Sequence, residues 1–281
     1  MNGLTTIALL TIRETLRRRV VLVLAILTLL FALGVGWGFD RLASIAREST
    51  ALDAQVKVLV AQFLVMVMFM FSFIVGMTAV FVTSPTISGE VESGVMLSIL
   101  ARPIRREAVL LGKWLGSAIV VIAFAILGGA VLLAVVAWTT GYVPPSTAFA
   151  LAFLAGETII GVTLAILLST LVPPMAGGAV AVAGFGAVWI AGIAASIGQV
   201  LHNDSLVRVG TISQLLLPTD ALWRGTVFHL EPAIVLAAGA GVAGNPFLSL
   251  TAPTPQFLAW CGVWIVVVLA GAMFVFRSRE L

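Results

Sequence analysis

Long runs without a single charge, separated by short clusters of arginine and glutamate, set the plan of this chain. Val20–Phe39, Val58–Gly89 and Leu115–Thr139 carry no Asp, Glu, Lys or Arg. A helix crosses about 30 Å of hydrocarbon at roughly 1.5 Å per residue, so about 20 such residues suffice for one span. The pattern predicts six spans: 20–39, 59–83, 115–139, 147–171, 176–201 and 257–276. Gly141-Tyr142-Val143-Pro144-Pro145 closes the third, and Pro173-Pro174 forces the turn between the fourth and fifth. Residues 202–256 form a long segment between the fifth and sixth. Within it Ala233–Leu250 is also uncharged, but Gly239, Gly241, Gly244 and Asn245-Pro246 oppose a continuous helix. That stretch is read as an interfacial or re-entrant element. Six spans also keep Arg277 and Arg279 on the same side as the first arginine cluster.

The expected fold class is therefore all-α: one polytopic membrane domain over 1–281. Composition agrees. Of the 281 residues 61% are hydrophobic and 10% charged, against about 25% charged in a soluble domain. The net charge of +3 gives no nucleic-acid signal. The single cysteine, Cys261, permits no intrachain disulfide. No His, Cys or carboxylate spacing marks a metal site, and His202 and His229 both lie outside the spans.

Charge placement orients the chain. One side holds Arg13, Arg17, Arg18, Arg19, Arg102, Arg105, Arg106, Lys113, Arg277 and Arg279; the other holds Arg41, Arg47, Lys57, Arg208 and Arg224, which completes the 15 basic residues. The richer side is expected to be cytoplasmic, with both termini on it. Before the first span, residues 2–19 place Leu4, Ala8, Ile12 and Leu16 in one row beside Arg13 and Arg17. This predicts an amphipathic helix lying in the interface.

The loop 84–113 is the most informative polar segment. Ser84 and Pro85 suit a helix start, and Pro103 disfavours helix at Arg102. Ile87, Val91 and Val95 would share a face between these limits, with Glu90 and Glu92 in the early turns. A short charged helix joined to two spans suits a docking lever for a cytoplasmic partner; the alternative is a solvated loop whose arginines only set topology.

Other polar or unusual residues carry two readings each. Glu157 sits about ten residues into the fourth span, roughly 15 Å deep, either on a transport pathway or as a hydrogen-bonded structural carboxyl. Ala179, Ala183, Ala187, Ala191 and Ala195 recur every four residues, as a dimer seam or as packing within one subunit. Asp220 and Arg224 can pair on a short outer helix, lining an exit gate or forming a plain surface pair. Met66, Met68, Met70 and Met77 fit adaptable core packing better than a thioether site.

The stretch Glu90-Val91-Glu92-Ser93-Gly94-Val95-Met96 through Leu100-Ala101-Arg102-Pro103-Ile104-Arg105-Arg106, followed by Gly112-Lys113, resembles the first cytoplasmic loop of ABC-2 type transporter permeases. Glu90, Glu92, Gly94, Leu100, Pro103, Arg106, Gly112 and Lys113 match that loop, while Val95-Met96 stands where the family usually has Thr-Leu. Pro218-Thr219-Asp220 with Trp223-Arg224 is similar to a patch of the NosY-like branch. The resemblance implies a permease of an ATP-binding cassette transporter, with 84–113 as its short coupling helix and a prokaryotic inner-membrane location. It implies an ATPase subunit as partner, a second permease copy or sister permease meeting it through the first and fifth helices, and room for an extracytoplasmic accessory protein. ATP and Mg²⁺ would be bound by the ATPase and no cofactor by this chain. The residues agree on one point: Gly112-Lys113 is followed by Trp114, and Glu107 stands where a phosphate-binding loop needs its first glycine. The expected chain is not itself an enzyme. An intramembrane serine protease would need a buried histidine near a serine nucleophile. The competing transport class is an ion- or proton-coupled carrier using Glu157.

Overall fold

The computed structural model describes residues 3–48, 53–96, 105–238 and 248–278. Every regular element within them is helical: α1 (Gly3–Arg17), α2 (Arg19–Glu48), α3 (Asp53–Thr83), a 3₁₀ turn (Ser84–Thr86), α4 (Ser88–Glu92), α5 (Arg106–Thr140), α6 (Thr147–Leu171), α7 (Pro174–Val200), α8 (Asp204–Leu216), α9 (Thr219–Leu230), α10 (Ala233–Ala238) and α11 (Pro255–Ser278). Six of them, α2, α3, α5, α6, α7 and α11, are long and apolar enough to cross a membrane. Several overrun their uncharged cores. The first continues past Phe39 to Glu48, and α5 begins at Arg106 with Glu107 in its first turn, because no Gly or Pro stops either helix where the charges begin.

The core lies along α3, α5 and α6. Leu64, Met68 and Phe71 of α3 meet Val121, Ala125 and Leu132 of α5 and Leu154 of α6, all fully or almost fully buried. The outward faces are equally apolar: Leu22, Leu29, Leu33 and Trp37 of α2 are exposed on the bundle, as are Met66 and Met70 of α3. In water such a surface would be untenable; facing lipid it costs nothing, and the helical backbone satisfies its own polar groups.

Contacts define two ends. At the basic end α1, the α3–α4 joint, the start of α5, the α6–α7 turn and the end of α11 converge. At the opposite end α7 turns at His202, whose φ of 53° is left-handed, and Asn203 caps α8 by accepting the amides of Ser205 and Leu206 at 3.1 and 3.4 Å. Helix α8 folds back onto α7, where Gly210 lies against Ala195.

The structure adds detail to two expectations. Helix α1 buries only Ala8 of its Leu4-Ala8-Ile12-Leu16 row against the bundle. It buries Ile7, Ala8, Thr11 and Thr15, while Leu9, Leu10 and Leu16 are exposed. Its partner is α5, whose Gly112 and Gly116 leave no room for a side chain: a Cβ at Gly116 would stand 2.7 Å from the Ala8 carbonyl and from Thr11. The predicted continuous helix from Ser84 toward Arg102 is also broken. After the 3₁₀ turn, α4 ends at Glu92, and Gly94 takes a left-handed φ of 73°. This is a conformation that glycine adopts without the Cβ clash of other residues. Val95 then points outward instead of sharing a face with buried Ile87. Leu100, Arg102 and Pro103 lie outside the described residues, as do Gly239, Gly241, Gly244 and Asn245-Pro246.

Candidate functional site

The basic end is built around the α3–α4 joint. The 3₁₀ turn at Ser84–Thr86 interrupts the helical ladder, and the Ser169 hydroxyl of α6 accepts the Ile87 and Ser88 amides, both at 3.1 Å. Ser84 donates to the Pro174 carbonyl at 2.7 Å, tying the joint to the start of α7. One turn on, the Glu90 carboxylate pairs with Lys113 of α5, whose side chain is 4% exposed. Glu92 and Arg105 face outward. Arg106 donates to the Phe276 and Arg277 carbonyls at 3.3 and 3.1 Å, capping α11, and Glu107 pairs with Arg277. Of the sequence-expected coupling residues, Glu90, Lys113 and Arg106 are thus tied to neighbouring helices. Gly112 seats α1, Gly94 makes the break, and Glu92 is left at the surface.

Halfway along the bundle, Glu157 of α6 is 4% exposed and accepts a hydrogen bond from Ser72 of α3 at 2.9 Å. Its second oxygen has no hydrogen-bond partner among the described residues. It lines a small cavity of about 30 Å³ between α3, α6 and α7. Beside that cavity an aromatic ladder joins α3 to α7: Phe69 stacks on Trp189 with centroids 4.9 Å apart, and Phe73 meets Phe185 edge-on at 6.2 Å.

Toward the opposite end the Asp220–Arg224 pair is no surface pair. Asp220 is buried, and its Oδ2 accepts from Gln214 and Arg224, each at 2.9 Å. Arg224 also donates to the Gly192 carbonyl at 2.8 Å and to Ser196 at 3.1 Å. One network therefore joins α7, α8 and α9. It floors a cleft of about 570 Å³ lined by Gln199, Thr211, Gln214, Arg224 and Thr254 among others. Trp260 and Trp264 of α11 donate to the Leu215 and Leu216 carbonyls at 3.2 and 2.8 Å, closing the end of α8.

At this end Glu231 follows α9, fully buried, with neither carboxyl oxygen hydrogen-bonded among the described residues. Burial pushes its carboxyl up to about 7. The neighbouring Tyr142 phenol donates to the Leu230 carbonyl at 2.9 Å. Burial, and secondarily the charge of Glu231, pushes that phenol up to about 12. His229 is sandwiched between Phe149 and Phe153.

The alanine row of α7 divides. Ala179, Ala183 and Ala187 are exposed, whereas Ala191 and Ala195 lie partly covered by α8. Sequence reasoning missed Ser72, Ser169, Gln214, Ser196 and Glu231. For Ser72 and Ser169 the only signal was a polar residue inside an uncharged run; Gln214 and Ser196 carried none, because α8 brings them together by folding back. Glu231 was legible as a lone carboxylate beside Pro232 before an uncharged stretch. Among the described residues no three His, Cys, Asp or Glu side chains converge as a metal site requires.

The family model described as ABC-2 family transporter protein matches residues 5–281. Comparison with curated proteins yields no match.

Proposed function

From the premise that the chain belongs to the ABC-2 transporter family, and so is an ABC transporter permease, we propose that it is an export permease driven by a separate ATPase subunit at the basic end. The supporting observation is the joint at Ser84–Glu92, held by Ser169 of α6, Pro174 of α7 and Lys113 of α5. A partner that grips the exposed Glu92 side of this segment pushes on three membrane helices at once. On this reading the basic end faces the cytoplasm of a prokaryotic inner membrane, with both termini there, and the partner binds ATP and Mg²⁺. Ala179, Ala183 and Ala187 on the open face of α7, continued by Ala191, meet a second copy or a sister permease. Glu157 and the Asp220–Arg224 network line the route, and the Pro218-Thr219-Asp220 patch at the head of α9 is the feature shared with NosY-like permeases.

The test is affinity purification of the tagged chain in mild detergent with mass spectrometry of what accompanies it. An ATPase with a phosphate-binding loop, recovered in near-equal amount and lost in Glu92→Lys/Arg102→Glu, supports the reading. Native membranes that yield other complexes intact but no ATPase with this chain overturn it, and favour ion-coupled transport at Glu157.

A further inference from the structure

The cavity at Glu157 combines three properties that together specify a ligand. First, it holds a carboxylate oxygen with no hydrogen-bond partner among the described residues. None of the residues lining the cavity is Lys, Arg or His. On adjoining elements Arg224 is committed to Asp220 and Lys113 to Glu90. A carboxylate at this depth is costly unless it is matched, by a bound proton or by a cation supplied from outside the chain. Second, the walls beside it are apolar and aromatic, formed by Phe73, Phe185, Val75, Met77 and Leu164. An inorganic cation that sheds its water wants about six or more oxygen ligands, whereas the side-chain oxygens here are those of Glu157, Ser72, Thr158 and Thr219, with Ser72 bonded to Glu157 and Thr158 to the Leu154 carbonyl. An ammonium group needs only a few acceptors and is further favoured by aromatic faces. Third, the enclosed part of the space is about 30 Å³, enough for a water-sized group such as the head of a primary ammonium. Phe73 at the rim is exposed on the outside of the bundle, which leaves the rest of a ligand lying in lipid.

We propose that this cavity is a binding site for the ammonium head of a cationic amphiphile, entering from the bilayer between α3 and α7, with Glu157 as its counter-charge. Ser72 holds the other carboxylate oxygen and so fixes the plane of the group. The Phe73–Phe185 pair flanks the head, and the tail runs out past Phe73. The inference rests on the permease reading and names the substrate class it would move.

The experiment uses the complex as purified, reconstituted in nanodiscs. A photoreactive dodecylammonium, with a diazirine near its head, is crosslinked and the labelled peptides are mapped; the matching dodecanol probe is the uncharged control. The expected result is labelling concentrated on peptides holding Phe73, Glu157 and Phe185, competed by dodecylammonium but not by dodecanol. In Glu157→Gln, which keeps the Ser72 hydrogen bond, labelling falls about tenfold or more, as for a lost charge-assisted hydrogen bond. If Glu157→Gln fails to assemble, Phe185→Leu keeps the cavity apolar without its aromatic face and is expected to lower labelling about threefold. Equal labelling by amine and alcohol, or amine labelling unchanged in these variants, overturns the site. ATPase recovered in the same preparation is scored separately. Amine-selective labelling without ATPase overturns only the permease reading, and ATPase without amine selectivity overturns only this one.

Discussion

Lys113 and Glu90 face each other across the seam between α4 and α5, with the ammonium almost wholly withdrawn from the surface. Removing one member of such a pair strands the other charge, at about 3 kcal/mol or more. Glu90→Gln is expected to lower the denaturation midpoint of the detergent-purified protein clearly, and the double variant Glu90→Gln/Lys113→Met to recover most of the loss. A single variant that melts like the parent would mean that the pair contributes little.

Ser169 supplies the acceptor for two amides freed by the 3₁₀ turn. In Ser169→Ala both are left buried without a partner, at about 1–3 kcal/mol. Hydrogen exchange at Ile87 and Ser88 is expected to rise selectively. Unchanged exchange there would show that another group takes over the role.

Gly192 touches the Asp220 carboxylate so closely that an added Cβ would stand 2.5 Å from it. Gly192→Ala is therefore expected to destabilise by about 1–3 kcal/mol through overpacking and to loosen Arg224. Gly186→Ala, where a Cβ meets nothing within 4 Å, serves as the control. Thermal melts of the two variants decide it: similar curves would refute the crowding at Gly192.

These contacts also mark what could be read from the chain and what could not. The fourth span is bounded by Pro145 and by Pro173-Pro174, and backbone chemistry delimits it whatever packs against it. The packed face of α1 is different. In lipid, leucine gains nothing by turning inward, whereas small residues permit close approach. Thus Thr11, its hydroxyl bonded to the Ile7 carbonyl at 2.9 Å, goes inside and Leu16 stays out, a packed face that the apolar row did not mark. The break at Gly94 was hidden among residues that otherwise favour a helix. Asp220 looked superficial because its partners Gln214 and Ser196 lie on two other helices.

Glu231 gives the end opposite the basic cluster a pH dependence of definite sign. Its carboxyl is raised from an ordinary 4.5 to about 7 by burial, so the folded chain holds the proton more tightly than the unfolded one. The sequestered acid is accommodated best below about 4.5, and stability is lost as pH rises from there through about 7. The full shift corresponds to about 3 kcal/mol at most. Glu231→Gln is expected to flatten the stability profile over this range and to melt higher than the parent at pH 8. Parallel profiles for parent and variant would refute this.

The break at Gly94 has a mechanical meaning. A helix behaves as a stiff rod only while its hydrogen-bond ladder is unbroken, and here that ladder ends with Ser93 bonded to Gly89 and Gly94 to Val91. Thrust or torque arriving from beyond Gly94 has no straight shaft into α3. It passes sideways, through the Glu90–Lys113 tie into α5 and through the Ser169 and Pro174 pins into α6 and α7. On the proposed coupling by an ATPase, the segment would work as a crank on a bearing rather than as a piston, its stroke felt first by helices remote from it in sequence.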